Sequence, residues 1–202
     1  ATLQEELGLK HDPAQPIVAM VTRLDSQKGI DLLLEEWQTL LARKLQLVIL
    51  GSGTPEYEQQ LTTLAQQSPG RVAVSHRFDD RLARRIYAGS DLFLMPSRYE
   101  PCGLGQLIAL RYGSVPLVRA TGGLTDTIVD PREQRKQANG FVFQEYTGSA
   151  LVEGLDRALS IYHQDGAWQN LIRYGMQQDF SWQHAAAEYT DLYGRILRDR
   201  SS

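Results

Sequence analysis

The chain has 202 residues and a formal net charge of −3, with acids and bases mixed along its length and 42% apolar residues, enough for one globular core. That balance argues against nucleic acid as the main partner, because duplex-binding domains carry a basic face; no apolar run reaches the length of a membrane span, and no secretory signal is visible. Cys102 is the only cysteine, which excludes an internal disulfide and a CxxC redox pair, and His11, His76, His163 and His184 lack metal-ligand spacing, so no structural zinc is expected.

A short amphipathic helix over residues 1–9 ends at Leu7-Gly8-Leu9 and leads into the domain. Ile17-Val18-Ala19-Met20-Val21 is an unbroken apolar run, as a strand buried on both faces requires. One helix should follow, with Ile30, Leu33, Leu34, Trp37, Leu40 and Leu41 on a single face. Residues 45–50 form a second strand closed by Gly51-Ser52-Gly53, after which Thr54, Pro55 and Glu56 read as N-cap, first helical position and dipole-favoured acid. Residues 71–75 are a third strand, followed by a helix around residues 80–88. Residues 92–95 are a fourth, ending at Pro96, with a helix from about Gly103 to Tyr112. Residues 115–118 are a fifth, closed by Thr121-Gly122-Gly123, and residues 140–143 a short sixth. The polar stretch 130–139 reads as an exposed loop.

From about residue 149 the chain turns helical. In its last helix Trp182, Ala185, Ala186, Tyr189, Leu192, Tyr193 and Ile196 form an apolar stripe, with Ser181 as cap. Strands alternating with helices imply an α/β fold: a doubly wound, Rossmann-like parallel sheet over residues 10–148 with right-handed crossovers, and a helical end over residues 149–202.

Four loops follow predicted strands and should gather at one edge of the sheet, where such folds bind ligands. In Thr22-Arg23-Leu24-Asp25-Ser26-Gln27-Lys28-Gly29, Arg23 and Lys28 before a helix suit a diphosphate, or are two solvated bases. Gly51 and Gly53 allow close approach of a ligand, or simply a tight turn. In Ser97-Arg98-Tyr99-Glu100-Pro101-Cys102-Gly103-Leu104-Gly105, Glu100 can accept hydrogen bonds from sugar hydroxyls while the amides of Cys102 to Gly105 line the ligand; the alternative is that Glu100 caps the next helix. Cys102 reads as a small packed residue, since no base stands beside it in sequence to make it a nucleophile. Gly122 and Gly123 before a helix offer a nest of N–H groups for phosphate oxygens, or a structural turn. Phe78, after the third strand, is either core or a platform for a base. His76, Trp37, Trp168 and Trp182 read as packing or surface groups.

Together the blocks 22–29, Pro96-Ser97-Arg98-Tyr99-Glu100-Pro101-Cys102-Gly103-Leu104, Thr121-Gly122-Gly123-Leu124, Asn139-Gly140-Phe141 and Phe180-Ser181-Trp182 resemble the bacterial glycogen synthases and plant starch synthases, in the family's order and over nearly the whole chain. The resemblance implies the C-terminal, donor-binding half of a GT-B architecture. It implies transfer of glucose from ADP-glucose to the non-reducing end of an α-1,4-glucan with retention, without metal or other cofactor, in a bacterial cytoplasm or plastid stroma. Carried over, Arg23 and Lys28 bind the distal phosphate and stabilise the departing ADP. Glu100 holds the glucose hydroxyls, and Phe78 packs on adenine. The backbone at Cys102, Gly103, Leu104, Gly105, Thr121, Gly122 and Gly123 lines the nucleotide sugar.

Two departures stand out. Related retaining transferases carry a second glutamate eight positions after the first, where this chain has Ile108, so ribose recognition must come from elsewhere. The family's N-terminal half, with its Lys-x-Gly-Gly loop and glucan-binding surface, has no counterpart here. The chain therefore reads as an isolated domain that binds ADP or ADP-glucose without catalysing transfer. A transferase using UDP-glucose and a small acceptor, or a non-catalytic nucleotide- or glucan-binding module, are the alternatives.

Overall fold

The computed structural model describes residues 2–77 and 79–199. Its centre is one six-stranded parallel sheet of β1 (Ile17–Val21), β2 (Gln46–Leu50), β3 (Val72–Ser75), β4 (Leu92–Met95), β5 (Val115–Arg119) and β6 (Phe141–Phe143), in the order β3-β2-β1-β4-β5-β6. The expected doubly wound sheet is thus present, and its strands begin and end within one or two residues of the sequence-based bounds. Chain direction across the sheet reverses between β1 and β4, which pair side by side through Val18–Leu92 and Ala19–Phe93. The helices that follow these two strands pack on opposite faces of the sheet, Ile30 and Leu33 on one and Ala109 on the other, which leaves a crevice at the strands' carboxyl ends.

The strands are apolar on both faces because both faces are covered. Val18, Met20, Leu47, Ile49, Leu92 and Leu94 point to one side, against Ile30, Leu33, Trp37 and Leu155. Ile17, Ala19, Val48, Leu50 and Phe93 point to the other, against Leu3, Leu82, Ile86 and Ala109. The helices are α1 (Thr2–Glu6), α2 (Ile30–Glu35), α3 (Trp37–Leu41), α4 (Pro55–Gln66), α5 (Asp80–Gly89), α6 (Gly105–Tyr112), α7 (Gly123–Thr127), α8 (Gly148–Tyr162), α9 (Asp165–Gln177) and α10 (Trp182–Asp199), with a 3-10 turn at Ser26–Lys28.

Four expectations are corrected. The single helix after β1 is broken at Glu36 (φ −96°, ψ 13°) into α2 and α3. There the Glu36 side chain is pressed so closely by Gly148 that a Cβ on the glycine would stand 2.5 Å away. Thr54 occupies the N-cap of α4, but its side chain caps nothing; Glu58 instead accepts the Gly53 N–H at 2.7 Å. The helix after β4 starts at Gly105, not Gly103, because Gly103 is left-handed (φ 74°). The polar stretch 130–139 is exposed only in its middle: Asp130 and Asn139 are buried. Asp130 accepts from the Val142 N–H (2.8 Å) and is paired with Arg132 (3.1 Å) and Arg157 (2.8 Å), whereas Asn139 bonds Val129, Thr127 and Gln178.

Ser181 caps α10 as expected, its hydroxyl accepting the His184 N–H at 3.3 Å. The α10 stripe is open, with Trp182, Tyr189, Leu192, Tyr193 and Ile196 all exposed. Among the described residues, no helix is long and apolar enough to cross a membrane.

Candidate functional site

The loops after β1 and β4 meet at the crevice. Asp25 caps the 3-10 turn by accepting the Lys28 N–H (3.1 Å), which turns the Lys28 side chain toward the β4 loop. Lys28 Nζ reaches Glu100 Oε2 at 2.6 Å, and the Ser97 hydroxyl donates to the same oxygen at 3.2 Å. Both side chains of the pair are largely shielded, at 17% and 10% exposure. A charged pair in that setting is stronger than one on the surface. Glu100 caps no helix: α6 is preceded by Leu104 with no side-chain cap. The two loops are stitched by Arg98 N–H to the Gln27 carbonyl (2.8 Å) and by Gln27 Nε2 to the Tyr99 carbonyl (3.3 Å).

Arg23 stands at the rim, two-thirds exposed, paired with Asp25 at 2.9 Å. A surface pair of this kind contributes at most about 1 kcal/mol, so the guanidinium is free to turn toward an incoming anion. Gly29 is required by contact: a Cβ there would stand 2.2 Å from the Pro96 carbonyl oxygen.

The other glycine loops divide. Gly51 and Gly53 serve packing, because a Cβ on either would lie 1.7 Å from the Thr22 oxygen or 2.3 Å from that of Leu24. The β2 loop is thereby zipped onto the β1 loop, with Leu24 and Gly53 forming a parallel bridge. Gly122 (φ 49°) likewise lies against the Glu100 carbonyl oxygen, 2.0 Å from where its Cβ would be, and the Gly123 N–H is bonded to the carbonyls of Glu100 (3.2 Å) and Pro101 (3.0 Å). The expected nest therefore loses Gly123 as a donor. Its amide holds the Glu100 loop down, while the N–H groups of Thr121 and Gly122 have no acceptor among the described residues.

Cys102 is exposed and unbridged at this edge, so the expectation that it is packed is corrected. Leu104 is also exposed. The N–H groups of Gly103, Leu104 and Gly105, at the start of α6, have no acceptor among the described residues. Phe78 lies outside the described residues. No cluster of His, Cys, Asp and Glu among the described residues could hold a metal ion.

Sequence reasoning missed the buttress behind the site. Arg119, at the end of β5, donates to the carbonyls of Ser97 (2.9 Å), Arg98 (2.5 Å) and Gln144 (3.3 Å). The Tyr146 hydroxyl donates to Asp31 (2.6 Å) and lies 3.1 Å from the Ser26 carbonyl oxygen, while Arg98 stacks over its ring at 4.1 Å. Burial, reinforced by Asp31, pushes the Tyr146 hydroxyl up to about 12, so it remains a donor at neutral pH. An arginine ending a strand was the one available signal, and it is a weak one.

Known proteins share this sequence and fold. The chain is 59% identical to glycogen synthase of Syntrophotalea carbinolica over 96% of its own length and 40% of that protein. It is 48% identical to glycogen synthase 2 of Geobacter sulfurreducens over 95% of its length and 40% of the relative. It therefore spans about two fifths of these proteins. In structure it superposes on the catalytic domain of Arabidopsis thaliana starch synthase IV, bound to ADP and acarbose, with a TM-score of 0.87, 38% identity and coverage of 96% of this chain and 41% of that one. Sucrose-phosphate synthase of Thermosynechococcus elongatus follows at 0.70 and 26%, over 98% of this chain and 49% of that one. The family model for glycosyl transferases group 1 matches residues 4–177, and the chain belongs to that family.

Proposed function

We propose that this chain is the donor-binding part of a glycogen or starch synthase. The whole protein would transfer glucose from ADP-glucose to the non-reducing 4-hydroxyl of an α-1,4-glucan with retention, in a bacterial cytoplasm or plastid stroma. The observation that carries the reading is the Lys28–Glu100 pair at the strand-order reversal, 2.6 Å apart and flanked by unengaged amides. The names of the relatives, and the ADP held by the Arabidopsis enzyme, support it.

The chemistry follows from the donor inventory. Lys28 has three N–H groups; one meets Glu100, which leaves two for phosphate oxygens. Glu100 uses Oε2 for Lys28 and Ser97, leaving Oε1 for glucose hydroxyls. As the anomeric carbon–oxygen bond breaks, its electron pair passes to the diphosphate. Lys28, with Arg23 turned inward and the amides of Gly103 to Gly105, Thr121 and Gly122 alongside, stabilises that charge. These donors do the work a metal does in other transferases, and we assign no metal to the reaction. The glucan binds the half of the protein outside this chain, so this chain alone binds donor without transferring glucose.

Calorimetric titration with ADP, with UDP as control, tests the reading. Selective ADP binding that is lost in Arg23→Ala is expected. Equal or preferred UDP binding would favour a UDP-sugar transferase, and binding of neither would contradict the proposal.

A further inference from the structure

Gln106, the second residue of α6, is completely buried. Its Nε2 lies 3.1 Å from the carbonyl oxygen of Cys102, 3.1 Å from that of Gly103 and 3.3 Å from the Thr127 hydroxyl. Its Oε1 is buried and accepts nothing among the described residues. A buried amide oxygen without a partner is destabilising. Packing alone therefore explains a glutamine here poorly, since a leucine or methionine of similar volume would avoid that cost. What the glutamine supplies is the donor.

In a trans peptide the C=O and N–H point to opposite sides. Drawing the carbonyls of Cys102 and Gly103 toward one buried nitrogen turns the N–H groups of Gly103 and Leu104 the other way, and neither has an acceptor among the described residues. Left-handed Gly103 (φ 74°) followed by right-handed Leu104 (φ −114°, ψ −26°) makes successive N–H groups converge. A Cβ on Gly103 would stand 2.4 Å from Gln106 Oε1, so the turn and the glutamine are fitted to each other. Thr127 extends the tie, because its hydroxyl donates to the Gly123 carbonyl at 2.7 Å. One buried amide thus joins the β4 and β5 loops.

We propose that Gln106 is a positioning residue, which aims the Gly103 and Leu104 N–H groups at the oxygens of the diphosphate–glucose end of the donor. The identity of those oxygens rests on the function proposed above; the aiming does not.

The test uses this chain, native and Gln106→Leu, with ADP-glucose and AMP as probes and amide NMR as readout. In the native chain ADP-glucose shifts the Gly103 and Leu104 amides. In Gln106→Leu those shifts disappear and ADP-glucose binds about tenfold more weakly, while AMP, which lacks the distal phosphate and the sugar, stays within about twofold. Equal weakening of both probes would reduce Gln106 to a structural role and overturn the inference, as would retention of the native shifts. If the leucine variant does not fold, Gln106→Asn, which withdraws the amide by one methylene, is read by the same criteria. If the native chain binds neither probe, the functional reading fails by itself. The inference is then judged on N–H residual dipolar couplings of Gly103 and Leu104, which must differ between native and variant; identical couplings overturn it.

Discussion

At the amino-terminal end of the strands, polar side chains close on one another. Gln4 donates to Gln46 at 2.8 Å, Gln46 to the Lys10 carbonyl at 2.6 Å, Ser90 meets Ser114 at 2.9 Å, and Asp91 accepts the Ile17 N–H at 2.8 Å. At the carboxyl-terminal end the loops are tied just as firmly, by Lys28–Glu100, Arg119 and Gln106, but the first and last of these leave something over: two ammonium hydrogens and one carboxylate oxygen at the pair, a run of amides beside Gln106. The same device, a polar bridge between neighbouring strand ends, serves stability alone where it is self-contained and can serve binding where it leaves spare donors. Position in the fold decides which, since only the carboxyl end has the crevice at the strand-order reversal.

The sharpest way to break this contrast is to remove the charge at the carboxyl end while keeping the shape. Glu100→Gln can still accept from Lys28 and Ser97. In the full-length protein it should lower glucose transfer about 10²–10³-fold, with little change in the chain's unfolding midpoint. Unaltered transfer, measured with purified ADP-glucose and glucan, would remove Glu100 from the site. The converse change is Gln46→Leu at the amino end. It strands Gln4 and the Lys10 carbonyl and should cost about 1–3 kcal/mol of stability, read as a lower urea midpoint, with ADP affinity unchanged.

Two aspartates, Asp130 buried and Asp91 partly buried, give the smallest effects, of opposite sign. Burial pushes the Asp91 carboxyl up, and the Ile17 N–H and Tyr162 hydroxyl only partly offset it. Burial opposes ionisation of Asp130 too, but the N–H groups of Val142 and Arg132 and the Arg157 guanidinium win and hold it below the usual range. Asp130 therefore contributes stability that is present above pH 3.8 and lost as pH falls through its lowered folded value. Asp91 does the reverse: its ionisation costs stability as pH rises from 3.8 through its raised folded value. Urea midpoints should show Asp130→Asn weaker at neutral pH and less sensitive to acid. Asp91→Asn should be more stable at neutral pH by up to about 1 kcal/mol, converging with the native chain in acid.

The sheet was legible because its strands are mostly unbroken apolar runs, with Gly51 closing β2 and Pro96 closing β4, a pattern that parallel strands buried on two faces impose. Lys28 and Glu100 were legible as residues after strands, and the resemblance supplied their roles. Their direct contact was not, since 72 residues separate them and only the β1–β4 pairing joins them. The glycines misled in part: at Gly51, Gly53 and Gly123 the missing Cβ makes room for a neighbouring loop's backbone, and no sequence pattern separates that from room for a ligand. Gln106 and Arg119 stayed hidden because, the Thr127 hydroxyl apart, their partners are backbone carbonyls, which carry no side-chain identity to match.

The most direct test of the account is to titrate the native chain with ADP-glucose and map which backbone amides move. The account predicts shifts confined to the loops after β1, β4 and β5, largest between Gln27 and Gly29 and between Glu100 and Gly105, with the amino-terminal end silent. Shifts centred instead on the groove of about 730 Å³ beside α8, lined by Thr39, Phe141, Val152 and Arg157, would contradict it.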